Sequence, residues 1–427
     1  MTSELQFPFV TNEAPDVVER ATLSSYPRAR LHLLGNGEVT TAVTILGEGF
    51  TTWNDLDVYR FREDASVEAG GIYFYLRDRE TQRTWSAGFR PTGAEPDGYE
   101  VSFAVHHVEI SRRDGEIETT MEIAVSPERP AEVRRLTLIN HGADARDIEV
   151  TTATEVVLAP RGADLAHRAF ASMFLEAEAL PERNAMLVRR RPRSPSEIET
   201  WVVQVLGAED EGWSGAFEHE ASRARFVGRG RTMASPAGLG APLTGTTGAV
   251  LDPLIALRRT VHLQPGARAR ITLTTAVATS RESAVELLNA FAKNDVVHRT
   301  FSHARVAARA ELDQLGVRPA QSHTFQRLLS AIVFPQRDLR STVEPAAIRD
   351  GGRAALWALG LSDLPLVVVR IDDVDAFGLF GEMLVAHEVW RRKGVQVELL
   401  ALDEGTSGEA RADATLASLI RSSPDAY

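Results

Sequence analysis

The chain has 427 residues, no cysteine and a formal net charge of -12. That balance argues against nucleic acid or an anionic membrane surface as the main partner, and the missing thiols exclude disulfides, thiolate metal sites and cysteine nucleophiles. A chain this long can bury ample core without covalent staples.

The first twenty residues hold no apolar signal core, and no run of about 18 apolar residues follows. The sequence therefore reads as a cytoplasmic protein with no membrane segment. Residues 1–24 are expected to be an N-terminal extension. From 25 to 278 the text reads β. Val101 to Val105, Ile117 to Val125, Val133 to Ile139 and Ile148 to Val157 alternate with period two and are rich in β-branched residues. Asn36-Gly37, Asp114-Gly115, Asn140-His141-Gly142 and Pro265-Gly266 punctuate them with residues that tolerate positive φ. Many short strands with almost no helical periodicity indicate a large antiparallel sandwich.

At Thr279 the period changes. Thr279-Ser280-Arg281-Glu282 has a capping-box pattern, and Val285, Leu287, Leu288 and Phe291 follow at helical spacing. A second helix is expected from about Val296 to Leu315, stopped by Gly316. A third is expected to start near Pro319 and end by Pro335. Residues 279–340 thus read as a helical linker. In 341–427 the pattern is mixed. Leu366 to Ile371 reads as a buried strand, Asp375 as the cap of a helix ending at Gly394, Val395 to Leu402 as another apolar segment, and about Glu409 to Arg421 as a helix.

Several phrases, in this order and spacing, resemble glycoside hydrolase family 94, formerly glycosyltransferase family 36, and its cyclic β-1,2-glucan synthase and cellobiose-phosphorylase branches. They include Pro27 to Gly37, Gly47 to Leu56, Phe61 to Asp64, Tyr75 to Asp78, Trp85 to Gly88 and Val125 to Pro127. Arg223 to Gly230, Leu251 to Pro253 and His387 to Trp390 continue the series. The resemblance implies a fold that is mainly β with α: a large β-sandwich (super-sandwich), a helical linker, and the beginning of an (α/α)6 barrel at 341–427. It implies glycosyl transfer or phosphorolysis of β-linked gluco-oligosaccharides. The catalytic acid would lie beyond Tyr427, so no catalytic residue is assigned. This portion would recognise carbohydrate and dock, with no cofactor, inorganic phosphate as a possible co-substrate, and a second chain or a homodimer completing the site. A stand-alone carbohydrate-binding protein and a vestigial structural fragment are the alternatives.

The family reads Gly-Ile-Ser-Gly-Asp-Leu-Pro at a glucosyl-binding turn, often with an arginine shortly before. This chain has Trp357-Ala-Leu-Gly360-Leu-Ser-Asp-Leu-Pro365. It lacks the second glycine and holds Ala358 at the arginine position. Asp363 is the matching carboxylate, and Trp357 beside it offers a face for glucose. Trp53 is the third candidate, because the glycine-rich stretch from Gly47 to Asp55 looks like a loop and exposed loops carry function.

Other signals read as structural. Asp55, Asp57, Glu63 and Asp64 suggest a solvated face paired with Arg60 and Arg62 rather than a paired-acid hydrolase. His106 and His107, adjacent on a strand, would point to opposite faces and not share a metal. His387-Glu388 lacks the second histidine of a zinc-protease helix, since position 391 is Arg391. The run from Arg189 to Arg193 reads as a loop face that meets acids. No metal site is expected.

Overall fold

The computed structural model describes residues 18–23, 30–62, 70–195, 197–209, 213–334, 356–358, 360–371 and 375–403. Two large antiparallel sheets pack face to face. One is ten-stranded and carries Ile117–Val125, Ala131–Asn140, Arg268–Ala278 and Thr200–Ala208 side by side. The other is nine-stranded. Along it run Trp213–Ser222, Pro253–Leu263, Arg146–Ala159, Leu56–Tyr59, Gly49–Trp53, Val39–Thr44 and finally Leu31–Gly35 at one end.

The main core lies between the sheets, where Ile110, Leu136, Leu138, Val150, Leu257 and Ile271 are fully enclosed. Alternation along the strands puts one set of side chains there and leaves the opposite set outward. Much of that outward set is also buried, because helices and loops cover both outer faces. Helix α3 (Arg281–Phe291) lays Leu287, Leu288 and Phe291 over Val133, Leu187 and Val203. On the other sheet, Phe226, Met233 and Leu239 cover Tyr73, Tyr75 and Leu254.

The expected strands and the three linker helices are present. Ser280 caps α3 in a reciprocal box, but its partner is Ser283, one residue beyond the expected Glu282. Helix α4 (Asn294–Leu315) ends where Gly316 adopts φ 64°, and α5 spans Pro319–Val333.

Helix α5 closes the exposed edge of the nine-stranded sheet. Gln326 donates from Nε2 to the Leu33 carbonyl (3.0 Å) and accepts the Leu33 N–H (3.1 Å), while the Ser330 hydroxyl accepts the Leu31 N–H (3.1 Å). An edge strand left bare would template aggregation, so these side chains take the place of a neighbouring strand.

Two helices escaped sequence reading, the shorter being α2 (Arg223–Val227). Helix α1 (Arg161–Ser172), with a break at His167, lies inside the region read as all-β. Its Leu165 and Phe170 are exposed while Asp164 is buried, the reverse of an amphipathic pattern.

In the C-terminal block, strand Leu366–Ile371, helix α6 (Asp375–Arg392) and strand Glu398–Asp403 form a β-α-β unit. The strands pair in parallel, Leu366 opposite Glu398 through Ile371 opposite Asp403, a pairing that needs a helical crossover. The expected helix pairs of an (α/α)6 barrel are not found among the described residues, and the helix expected at 409–421 lies outside them. The unit rests on the sandwich through α5. Trp390 is 1% exposed, donates to the Phe325 carbonyl (3.1 Å) and joins Leu31, Leu33, Phe50 and Leu329 in one apolar cluster.

Candidate functional site

The site begins at a helix end. Gly360 takes φ 80°, the Leu361 N–H reaches the Leu356 carbonyl (3.1 Å) and the Gly360 N–H reaches the Trp357 carbonyl (3.0 Å). This is a Schellman closure, which needs the left-handed conformation that glycine adopts without strain. The chain then reverses, and Ser362 donates its N–H to both carboxylate oxygens of Glu398 (2.8 and 3.0 Å). The Glu398 N–H bonds the Pro365 carbonyl (2.8 Å). The turn is therefore pinned to the first residue of the second parallel strand.

That folding brings Trp357 and Asp363 together. The indole Nε1 donates to the Asp363 carboxylate at 3.3 Å. Trp357 is 55% exposed, and residues 362–365 are exposed as well. The result is a shelf with a flat apolar face beside two carboxylates, Asp363 and Glu398. Aromatic faces take the C–H surface of a sugar ring, and carboxylates accept hydrogen bonds from vicinal hydroxyls.

Trp53 does not join them. The stretch read as a loop is strand Gly49–Trp53, turning into Leu56–Tyr59 through Asn54 and Asp55, both at positive φ (45° and 64°). Two successive positive φ values are the signature of the tight hairpin turn that follows strand twist. Gly49 is required by proximity: a Cβ there would lie 1.8 Å from the Ala42 carbonyl oxygen. Trp53 is 7% exposed and packs in the core between the sheets, so its face is not open to a sugar. Trp85, Trp201 and Trp390 are also buried.

The carboxylates near this hairpin pair differently from the sequence expectation. Asp57 is buried and accepts from Arg161 of α1 (3.2 Å), and burial raises its pKa against that guanidinium. Arg60 turns instead to Asp164, which it grips with Nε and Nη2 (2.9 and 2.8 Å), and to Glu155. Glu63 and Asp64 lie outside the described residues. Local sequence proximity misleads here because the true partners come from another strand and from α1.

Glu155 anchors a larger network. It accepts from Arg60, Arg168 and Arg223, while Arg168 also reaches Asp252 (2.9 Å). Burial pushes the Glu155 carboxyl up, but the guanidiniums of Arg60 and Arg223 outweigh it and hold the pKa below the usual range. Sequence reasoning missed this network. Arg223 and Asp252 stand in two of the family-like phrases, which was the available signal.

The histidine expectation needs correction. His106 and His107 sit between the strands ending at Phe103 and starting at Val108, not within one strand. Their rings face each other at 4.4 Å and are bonded Nδ1 to Nε2 (2.9 Å). No group of three or more metal-ligating side chains is found among the described residues. His387 bonds the Val397 carbonyl (2.8 Å), and Glu388 is buried against Arg391 and Arg392. Arg189 to Arg191 and Arg193 meet Glu176, Glu197 and Glu199, so the basic run pairs with acids, but Arg189 and Arg190 end strand Ala185–Arg190 with Arg190 buried rather than forming a loop face. Among the described residues no helix is long and apolar enough to cross a membrane.

Two face-packed antiparallel sheets of this size, with helices over their outer faces, define a supersandwich. Residues 14–294 match the glycosyl hydrolase 94 supersandwich domain, and the chain belongs to that family. It is 31% identical over 382 residues to the cyclic beta-(1,2)-glucan synthase NdvB of Rhizobium meliloti (strain 1021), covering 89% of this chain and 14% of that protein. It is 30% identical over 128 residues to 3-O-beta-D-glucopyranosyl-beta-D-glucuronide phosphorylase of Paenibacillus borealis, covering 30% of this chain and 16% of that one. The chain thus spans a small fraction of the curated relatives it matches. Among solved structures, a bacterial glucoamylase complexed with acarbose overlays at TM-score 0.46 and 10% identity, covering 75% of this chain and 42% of that one.

Proposed function

We propose that the chain is the carbohydrate-recognition and docking portion of a β-glucan-processing enzyme, one that transfers or phosphorolyses glucosyl units of β-linked gluco-oligosaccharides. The observation that carries this reading is the exposed Trp357 indole hydrogen-bonded to Asp363, on a turn fixed by Gly360 and Glu398. Pinning matters, because about 1 Å of misplacement of a binding group costs roughly a hundredfold in turnover. Family membership supports the substrate class.

Docking is supported by the outer face of the β-α-β unit. Parallel strands are normally covered on both faces. Here Val368 and Leu402 are 46% and 43% exposed, next to exposed Leu364. Further polypeptide of the enzyme, in the same chain or a partner, would cover this face and complete the site. Inorganic phosphate would be the co-substrate where that complete site phosphorolyses, and a sugar the acceptor where it transfers.

Calorimetric titration of the chain with β-1,2- and β-1,4-gluco-oligosaccharides tests the reading. Binding is expected for the wild type, and Asp363→Ala should weaken it by about tenfold or more, as for loss of a charge-assisted hydrogen bond. Equal binding by the variant would overturn the assignment of the shelf.

A further inference from the structure

A cavity of about 350 Å³ lies against the nine-stranded sheet, well removed in sequence from the Trp357 shelf. Its wall includes five arginines, Arg60, Arg62, Arg168, Arg223 and Arg231, and one carboxylate, Glu155. The residues after strand Leu56–Tyr59, strand Ile72–Asp78, Arg168 of α1 and the segment from Arg223 to Met233 each contribute, so the cavity is assembled from distant parts of the chain.

Among the described residues the charges in and behind the wall do not cancel. Arg60, Arg168 and Arg223 are matched by Glu155, Asp164 and Asp252. Arg62 and Arg231 make no ion pair among the described residues, and the Arg62 Nε is buried with no hydrogen-bond partner there. Among the described residues two guanidiniums are therefore left over, Arg62 half-buried and Arg231 exposed. This excess sits on a protein whose net charge is -12, so it does not follow from composition. A buried donor without a partner costs stability unless something accepts from it. Guanidinium forks match the planar and tetrahedral oxygens of carboxylates and phosphates.

The surrounding ion pairs give the wall rigidity. Glu155 holds three guanidiniums at once, so part of the ordering cost of binding is met before a ligand arrives. The volume falls at the lower end of small-molecule pockets.

We propose that this cavity binds a compact oxyanion, a phosphate or carboxylate group that is free or carried on a body no larger than a monosaccharide. The proposal does not rest on the β-glucan reading. The test is calorimetric titration of the chain with inorganic phosphate, glucose 1-phosphate, glucuronate and neutral glucose. It is repeated on Arg62→Gln, Arg231→Gln and the double variant. Neither arginine is in an ion pair among the described residues, so the variants should keep the wild-type thermal midpoint, which is measured alongside. At least one anion should bind in the millimolar range or tighter, with glucose silent, and each substitution should weaken that binding about tenfold. Binding of inorganic phosphate alone would assign the site to the free anion, and binding of the sugar anions alone would assign it to those. Absence of anion binding, or binding unchanged in the double variant, would overturn the proposal. Trp357→Ala should leave the anion response intact, so a failure here leaves the shelf untouched.

Discussion

The sandwich and the C-terminal β-α-β unit treat their polar and apolar groups in opposite ways. In the sandwich, several ions are fully enclosed and paired. Arg134 is buried, bonded to Glu132 and to the Ile72 carbonyl (2.9 Å), while Glu132 also accepts from Tyr59 (3.0 Å) and Thr41 (3.2 Å). Arg112 is likewise enclosed with Asp114. In the C-terminal unit one face is sealed against α5 and the sandwich, and the other shows Trp357, Val368 and Leu402 to solvent. The first region encloses these groups, and the second presents an apolar surface. Oligosaccharide recognition is expected where that surface is, and stability where the enclosed Arg134–Glu132 and Arg112–Asp114 pairs are.

The largest effect should come from breaking the enclosed network. Glu132→Ala strands the Arg134 charge, and loss of one partner of a buried pair costs about 3–5 kcal/mol. Denaturant unfolding of the chain should show that loss in its main transition, with oligosaccharide binding retained at denaturant-free conditions if the fold survives.

A comparable but local loss is expected for Trp390→Ala, about 3–5 kcal/mol by the usual cost of emptying a large aromatic site. It should fall on the contact between α6 and α5. Hydrogen exchange should rise across Leu366–Asp403 and stay low in the sandwich strands. Equal loosening of both regions would erase the distinction between them.

Glu48 sharpens the contrast by pH. Burial raises its carboxyl to about 7, and Arg90 only partly offsets this. A raised carboxyl pKa favours the folded state below the unfolded value near 4.5. That advantage is lost as pH climbs to 7. Glu48→Gln should therefore stabilise the chain by roughly 2–3 kcal/mol at pH 8 and by almost nothing at pH 4. Thermal midpoints at both pH values check the sign.

His32 gives a smaller effect at the seam between the regions. It stacks on Phe103 (5.3 Å) and faces His323 of α5, with His107 and Lys393 near. Burial first, then the His323 and Lys393 charges, lowers its pKa well below the ordinary value, while the Ala104 backbone opposes. A base with a depressed folded pKa loses stability as pH falls below the unfolded value of about 6.5. Hydrogen exchange in α5 should rise on acidification, and less so in His32→Phe.

Much of the fold was legible in the sequence because its signals are local. Period-two alternation marked the long strands, and Ser280, Gly316 and Pro319 marked helix ends. Helix α1 was not legible, since ion pairs from Asp164 and Arg168 hold it rather than an apolar stripe. The hairpin carrying Trp53 was mistaken for a loop because of its glycines, yet Gly49 lies within the strand against the Ala42 carbonyl and Asn54-Asp55 makes the turn. The strands of the C-terminal unit were legible, but their parallel pairing across 32 positions, Leu366 to Glu398, is set by packing alone. Of the site, Trp357 and Asp363 were legible from the motif. Glu398 was not, because it reaches the turn only once that pairing exists.

The most direct test sets the two tryptophans against each other. Calorimetric titration with a β-1,2-gluco-oligosaccharide should give wild-type affinity for Trp53→Phe and a loss of at least about tenfold for Trp357→Ala, within the range for a deleted aromatic contact. Trp357→Ala should leave the thermal midpoint almost unchanged, since the residue is exposed. Undiminished binding by Trp357→Ala would contradict the claim that recognition resides on the C-terminal shelf.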